Sequence, residues 1–158
     1  MNIKEEFRLA LRELVYPVCV VSAYNDQTNE NHAITVSSVT SLSFDPPSIL
    51  VCINKDSSIH SSLKKDSNFN ISFLSSSQTE ISNLCGTDEL SDKRFDNDFW
   101  DFKNNIGFIK NSQSVISCTI KEITNHGSHS VFFGDVVEVI KNGNTKPLLY
   151  GKGKYLDI

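Results

Sequence analysis

Hydrophobic positions recur along this chain in two periods. Over residues 2–14, Ile3, Phe7, Ala10, Leu11 and Leu14 fall three or four apart, with Lys4, Glu5, Arg8 and Arg12 mostly between them. That spacing predicts an amphipathic helix, with Asn2 as its N-cap and Glu5 three residues on. After Pro17 the period shortens. Residues 18–24 read as a buried strand and 25–31 as a polar turn, which joins that strand to the next as a hairpin. Residues 34–44 alternate: Thr35, Ser37, Val39, Ser41 and Ser43 share one face, while Ile34, Val36, Ser38, Thr40, Leu42 and Phe44 share the other. Asp45-Pro46-Pro47 ends this run, because proline fixes φ and offers no N–H to a ladder. The β-branched run 49–53 suits a buried strand. Ser57 and Ser58 then precede Ile59 and Leu63, which predicts a helix start with a serine N-cap.

The second half repeats the strand pattern. Residues 68–74 read as a strand. Ser77 and Glu80 are spaced as a capping box opening a short helix through Ile81, Leu84 and Cys85, stopped at Gly86. Residues 87–105 read as a polar, irregular loop carrying Phe95, Phe99, Trp100 and Phe102; loops of this length in compact domains are usually functional or mobile. Residues 114–123 and 130–140 read as strands. Asn142-Gly143 is a hairpin-turn signal, and 147–155 reads as a last, edge-like strand. Six or seven strands with two or three short helices predict a mainly β, barrel-like single domain over residues 1–158. No G-x-G-x-x-G and no βαβ alternation occur, which disfavours a doubly wound nucleotide fold.

Composition narrows the function classes. With 158 residues, 39% of them hydrophobic and 22% charged, the chain is an ordinary globular one. A formal net charge of −4 gives no reason to expect nucleic acid. No apolar run approaches the roughly 20 residues that span a bilayer, and the acidic start (Glu5, Glu6) does not resemble a signal peptide; a soluble cytoplasmic protein is expected. Cys19, Cys52, Cys85 and Cys118 stand 33 residues apart, but their surroundings share no pattern, so they do not mark a repeat. No Cys-x-x-Cys and no paired histidines suggest a metal site. Hydrolase signatures such as G-x-S-x-G and H-E-x-x-H are missing.

What the sequence does offer is a run of hydroxyls and amides. Ser57 and Ser58 suit a phosphate at a helix N-terminus. Simpler readings stand beside these: a solvent-facing serine strand, a plain N-cap at Ser57, and a surface ion pair for Arg94 among its acidic neighbours.

The succession T-V-S-S, S-L-S-F-D-P-P and V-C-I-N-K-D-S-S-I-H resembles the short-chain NAD(P)H:flavin oxidoreductases, which have an FMN-binding split β-barrel. Lys93-Arg94-Phe95, the stretches at Gly127-Ser128-His129 and Gly134-Asp135-Val136-Val137, and Pro147-Leu148-Leu149-Tyr150 extend the likeness over nearly the whole chain. The resemblance implies a flavin reductase that transfers hydride from NAD(P)H as co-substrate to FMN or FAD. The reduced flavin would go to a partner such as a monooxygenase; the alternative is an electron-transfer module of the same fold without NAD(P)H turnover. It implies that residues 35–38 contact the flavin ring, that the backbone at Cys52 and Ile53 runs beside the ribityl chain with Asn54, that Ser57 and Ser58 meet the phosphate, and that Arg94 lies near that phosphate. His129 matches a histidine bordering the nicotinamide site, although Ser128 stands where the family often has aspartate; a hairpin-edge histidine without such a role is the simpler reading. The resemblance also implies a homodimer, with the N-terminal helix, Trp100 and its neighbouring phenylalanines as contacts; packing within their own core is the alternative for these aromatics.

Overall fold

The computed structural model describes residues 2–158. The apolar run after Pro17 becomes β2 (Cys19–Asn25), buried at every position but Tyr24. It pairs antiparallel with β3 (Glu30–Val36), Cys19 opposite Val36 and Asn25 opposite Glu30. Asn29 turns the corner at φ 57°, a left-handed conformation that asparagine tolerates better than most residues. On its other side β2 pairs with β6 (Asn68–Phe73), and β6 pairs with β9 (Ser114–His126). The long hairpin of β9 and β10 (His129–Lys141) turns at Gly127 (φ 55°) and Ser128. β10 then pairs with β5 (Pro47–Asn54), and β5 with β4 (Val39–Phe44).

The order of this seven-stranded sheet is β3-β2-β6-β9-β10-β5-β4. Its two edge strands, β3 and β4, are consecutive in sequence with only Ser37 and Ser38 between them. The sheet therefore has to curl until its edges meet there. At the meeting point Ser38 Oγ donates to the Cys52 carbonyl (2.8 Å) and the Cys52 N–H donates to Ser38 O (3.2 Å). The ladder does not close around the ring, so the result is a split barrel. The single strand expected over 34–44 is thus two strands with different partners. Alternation continues through Ser37 and Ser38, and pattern alone carries no record of a change of partner.

Side chains from the concave face fill the barrel. Ile49, Val51 and Ile53 of β5 meet Val21, Phe69, Ile71, Ile120 and Phe132 there. Gly134 is required by this packing, because a Cβ would come within 2.9 Å of the Phe69 ring and Cys118. A second cluster lies outside the barrel, under α2 (Thr79–Gly86), where Val18, Val20, Leu74, Ile81, Trp100, Ile109 and Leu148 come together. β2 is covered on both faces, which is why it reads as a continuous apolar run.

Other expectations are redrawn. The irregular stretch 87–105 contains a 3₁₀ helix (Asp88–Lys93) and a small hairpin, β7 (Trp100–Lys103) with β8 (Ile106–Ile109). Asn104 and Asn105, both at positive φ, supply its turn. Trp100 is 6% exposed and stacks on Phe95, so it fills its own core. Ser77 does not cap α2; the helix starts two residues later, after Gln78, without a side-chain cap. Asn142-Gly143 is a corner and not a hairpin, since β10 has no pairing with the strands that follow. The last segment divides at Lys152 and Gly153 into β11 (Leu149–Gly151) and β12 (Lys154–Leu156), and β11 pairs back to β1 (Val15–Pro17). At the N-terminus α1 (Ile3–Arg12) is capped as expected, Asn2 Oδ1 accepting from the Lys4 N–H (3.1 Å), but none of its residues is buried. No helix among the described residues is long and apolar enough to cross a membrane.

Candidate functional site

The seam where the barrel edges meet gathers the hydroxyl-rich residues. Ile49, Val51 and Ile53 point inward, so the alternate residues Cys52 and Asn54 point outward and are half-buried. Asn54 lies directly opposite His129, and Cys52 opposite Val131. Ser38, tied to Cys52, thus begins a line that runs through Cys52 to Asn54 and His129, each two-residue strand step adding roughly 7 Å. Ile53 is 1% exposed; its side chain belongs to the core, leaving only backbone near the seam.

Beyond Asn54 the chain turns back on itself. Asn54 Oδ1 accepts from the Asp56 N–H (2.9 Å), and Asn54 O accepts from both the Ser57 N–H (3.1 Å) and Ser57 Oγ (2.6 Å). Ser57 therefore spends its proton on Asn54 and makes no side-chain cap. The expected helix is a five-residue 3₁₀ helix, Ser58–Ser62. So short a helix sums few peptide dipoles, and Asn54 O takes both the N–H and the hydroxyl of Ser57, so of this pair it is Ser58 that presents local donors, and not a macrodipole, to an anion. This loop is pinned to the β9–β10 hairpin. The Lys55 N–H and Nζ donate to the carbonyls of Ser128 and Gly127 (both 2.9 Å). His60 Nε2 lies 2.8 Å from Ser130 Oγ, which donates to Asn125 Oδ1 (2.6 Å). His129 is exposed at the hairpin tip, its Nδ1 2.8 Å from Ser128 Oγ.

On the other side of Ser37 the seam opens into a cleft of about 510 Å³. Thr35, Val36 and Ser37 form one wall. Val18, the α2 residues Ser82, Asn83 and Gly86, and Tyr150, Lys154 and Tyr155 form the others. Thr35 Oγ1 donates to the Ser82 carbonyl (2.6 Å). Tyr155 OH donates to Asn83 Oδ1 and accepts from Ser82 Oγ (both 2.8 Å). The volume is in the range of small-ligand sites, and aromatic and apolar walls with fixed polar edges suit a flat heterocycle. Ser82, Asn83 and Tyr155 were not legible as site residues, because they stand in separate elements without a shared motif.

Arg94 is placed differently from the other candidates. It is 4% exposed. Its Nε donates to Leu84 O (3.1 Å), one terminal nitrogen to Ala33 O (3.0 Å), and the other to Thr87 O (2.6 Å) and Asp88 Oδ1 (3.4 Å). Its own carbonyl accepts from the Trp100 indole. A guanidinium has five N–H donors, and this network leaves no free two-pronged edge for a phosphate. The geometry is that of a clamp joining β3 to the end of α2, behind the cleft wall. The surface ion-pair alternative fares no better, since Asp88 is the outermost and longest of its contacts.

The four cysteines are free. Burial pushes the thiols of Cys19, Cys85 and Cys118 up to about 12, while Cys52 is half-buried on the seam. No group of three or more metal-ligating side chains occurs among the described residues.

Against known proteins, residues 11–158 match the family described as "Flavin reductase like domain". The chain is 30% identical to the reductase component of an FADH(2)-dependent resorcinol hydroxylase from Rhizobium, over 98% of this chain and 87% of that protein. It is 28% identical to an FMN reductase (NADH) of Pantoea ananatis, over 96% and 80%. Among solved structures, an NADH:FAD oxidoreductase of Streptomyces globisporus in complex with NAD and FAD fragments superposes with a TM-score of 0.89 at 22% identity, over 100% of this chain and 95% of that one. With its split barrel, hydroxyl-lined seam and aromatic cleft, this chain belongs to the flavin reductase-like family.

Proposed function

We infer that this chain is an NAD(P)H-dependent flavin reductase that takes FMN or FAD. The observation that carries this reading is the meeting of the barrel edges. It places Ser38, Cys52, Asn54 and Ser57 in one line on one side of Ser37 and an aromatic-walled cleft on the other, so one ligand with a flat ring, a polyol and a phosphate can use both. Thr35, Val36, Ser37 and Ser38 would meet the ring, Asn54 and the backbone at Cys52 and Ile53 the ribityl chain, and Ser57 and Ser58 the phosphate. When bound, the flavin supplies the ring that accepts a hydride from reduced nicotinamide. The protein's contribution is to hold the two rings in register and keep donors near the charge that develops. His129 stands next to Asn54 at the open end of the seam. Ser128 Oγ, 2.8 Å from Nδ1, holds the ring so that Nε2 faces outward. No strong base is needed for hydride transfer, which suits a site without a catalytic dyad.

The reduced flavin feeds an oxygenase partner, as the name of the resorcinol hydroxylase relative suggests. A second copy of this chain covers α1. Ile3 and Phe7 are 80% and 62% exposed and no residue of the helix is buried. An isolated helix of ten residues is marginal in water, so the helix needs a partner for its apolar stripe. Four unpaired cysteines fit a reducing, cytoplasmic setting.

The test is anaerobic absorbance at the NAD(P)H band, with and without FMN and then FAD. Flavin-dependent loss of the band with bleaching of the flavin is the expected result. Saturable quenching of flavin fluorescence without NAD(P)H loss would reduce the reading to a flavin-binding module.

A further inference from the structure

The tip of the β9–β10 hairpin stands away from the core. Thr124 to His129 are all exposed, and the first buried residue of β10 is Ser130. Gly127 makes the turn at φ 55°, with no heavy atom within 4 Å of where its Cβ would be. Apolar packing therefore does not fix this end, and exposed ladder ends open locally unless something ties them down. His129, the residue set beside the flavin seam, belongs to this end.

The tie comes from the loop after β5. The pairing of β5 with β10 ends at Asn54 opposite His129. Lys55 carries it one step further: its N–H donates to Ser128 O and its Nζ to Gly127 O, both at 2.9 Å. One residue thus holds two successive carbonyls directly ahead of His129, and the ammonium bond is charge-assisted. Among the described residues, no other side chain from outside the hairpin hydrogen-bonds to residues 126–129. A second contact lies deeper, where His60 Nε2 is 2.8 Å from the buried Ser130 Oγ, which donates to Asn125 Oδ1. Lys55 also belongs to the turn that Asn54 O closes onto Ser57, so the loop and the tip form one piece.

We propose that Lys55 is a positioning residue for His129: its ammonium clamps the hairpin tip to the Asn54–Ser58 loop, so that a flavin held by the loop meets the imidazole already in place. The ammonium spends a donor on a carbonyl of the turn and acts on the reaction through His129, not through the ligand. Releasing it lets the tip drift, and misplacing a group by about 1 Å can cost on the order of 100-fold in rate. The proposal rests on the flavin reductase reading for what His129 does, but not for the clamp itself.

The test uses Lys55→Met, which keeps the backbone bond to Ser128 and the length of the side chain but removes the ammonium, beside the charge-keeping Lys55→Arg. Three quantities are read: kcat at saturating NADH and FMN, Kd for FMN and for riboflavin by fluorescence quenching, and hydrogen–deuterium exchange of the peptide spanning residues 124–130. Lys55→Met is expected to lower kcat at least about threefold and to speed exchange of that peptide at least about threefold, with FMN affinity within twofold; Lys55→Arg should restore both. In a His129→Ala background, Lys55→Met should lower kcat no further, because residues that act through one another are not additive. A kcat lowered less than threefold, an unchanged exchange rate, or a full further loss in the double variant would each overturn the proposal. So would a tenfold loss of FMN with riboflavin spared, since the ammonium would then be reading the phosphate. If the natural protein oxidises no NAD(P)H with either flavin, the reductase reading fails and exchange alone decides: faster exchange in Lys55→Met that Lys55→Arg reverses upholds the clamp, and unchanged exchange overturns it.

Discussion

Replacing Arg94 with alanine separates a clamp from a phosphate ligand. In the fold its guanidinium serves the carbonyls of Ala33, Leu84 and Thr87, the first of these bonds fully buried and the other two partly so. Truncation leaves three acceptors short of a donor, each costing about 1–3 kcal/mol according to its burial. One buried and two partly buried acceptors sum to about 3–5 kcal/mol, the range seen when one member of a buried charged network is removed. At 2–4 °C per kcal/mol for a domain of this size, the melting temperature should fall by roughly 6–20 °C. Arg94→Lys should recover less than half, because a single ammonium cannot reach three carbonyls held by a planar fork. The assay is thermal unfolding by circular dichroism, paired with fluorescence titration of FMN and of riboflavin, which lacks the phosphate. A clamp predicts that the lysine variant loses affinity for both flavins to the same extent. A variant that melts within 2 °C of the natural protein and loses FMN selectively would refute this reasoning and return Arg94 to the phosphate.

Ser57→Asp should weaken FMN at least tenfold by fluorescence titration and leave riboflavin unchanged, because the carboxylate would repel the phosphate; equal loss of both would mean that the Asn54 turn itself had been disrupted. His129→Ala should lower kcat roughly tenfold, about 1.4 kcal/mol of barrier, with flavin Kd little changed; lost flavin affinity with normal kcat at saturation would place this side chain on the flavin. Alkaline stability should reflect the buried thiols of Cys19, Cys85 and Cys118, raised from 9.0 to about 12. Between those values the unfolded chain has lost protons that the native protein keeps, so stability is full below pH 9 and falls as pH rises, by about 1.4 kcal/mol per cysteine at pH 10; urea unfolding of Cys85→Ala should show a shallower decline than the natural protein. Phe7→Glu should shift the species seen by light scattering toward the monomer at micromolar concentration, and an unchanged mass would remove α1 from the interface.

The sequence by itself determined the local elements whose cause is local. The period of Ile3, Phe7 and Leu11 with Asn2 in front is enough for α1. The β-branched runs around Val20 and Val51 are enough for buried strands, and Gly127-Ser128 lies where the longest hairpin turns. The order of hydroxyl, proline and serine segments was enough for the family resemblance, whereas the outward placement of Cys52 and Asn54 came from the structure. The tertiary structure alone decided which strands become neighbours. Nothing in residues 34–44 says that Val36 ends one edge of a sheet and Val39 begins the other, because side-chain alternation is the same whichever strand supplies the hydrogen bonds. The cleft was hidden for the same reason: Thr35, Ser82 and Tyr155 meet only because the barrel curls and the C-terminal hairpin folds back on it. Arg94, placed near the phosphate by the resemblance and open to a surface ion pair from its acidic neighbours, is buried because three carbonyls converge on it, and that convergence is a property of packing and not of neighbours in the chain.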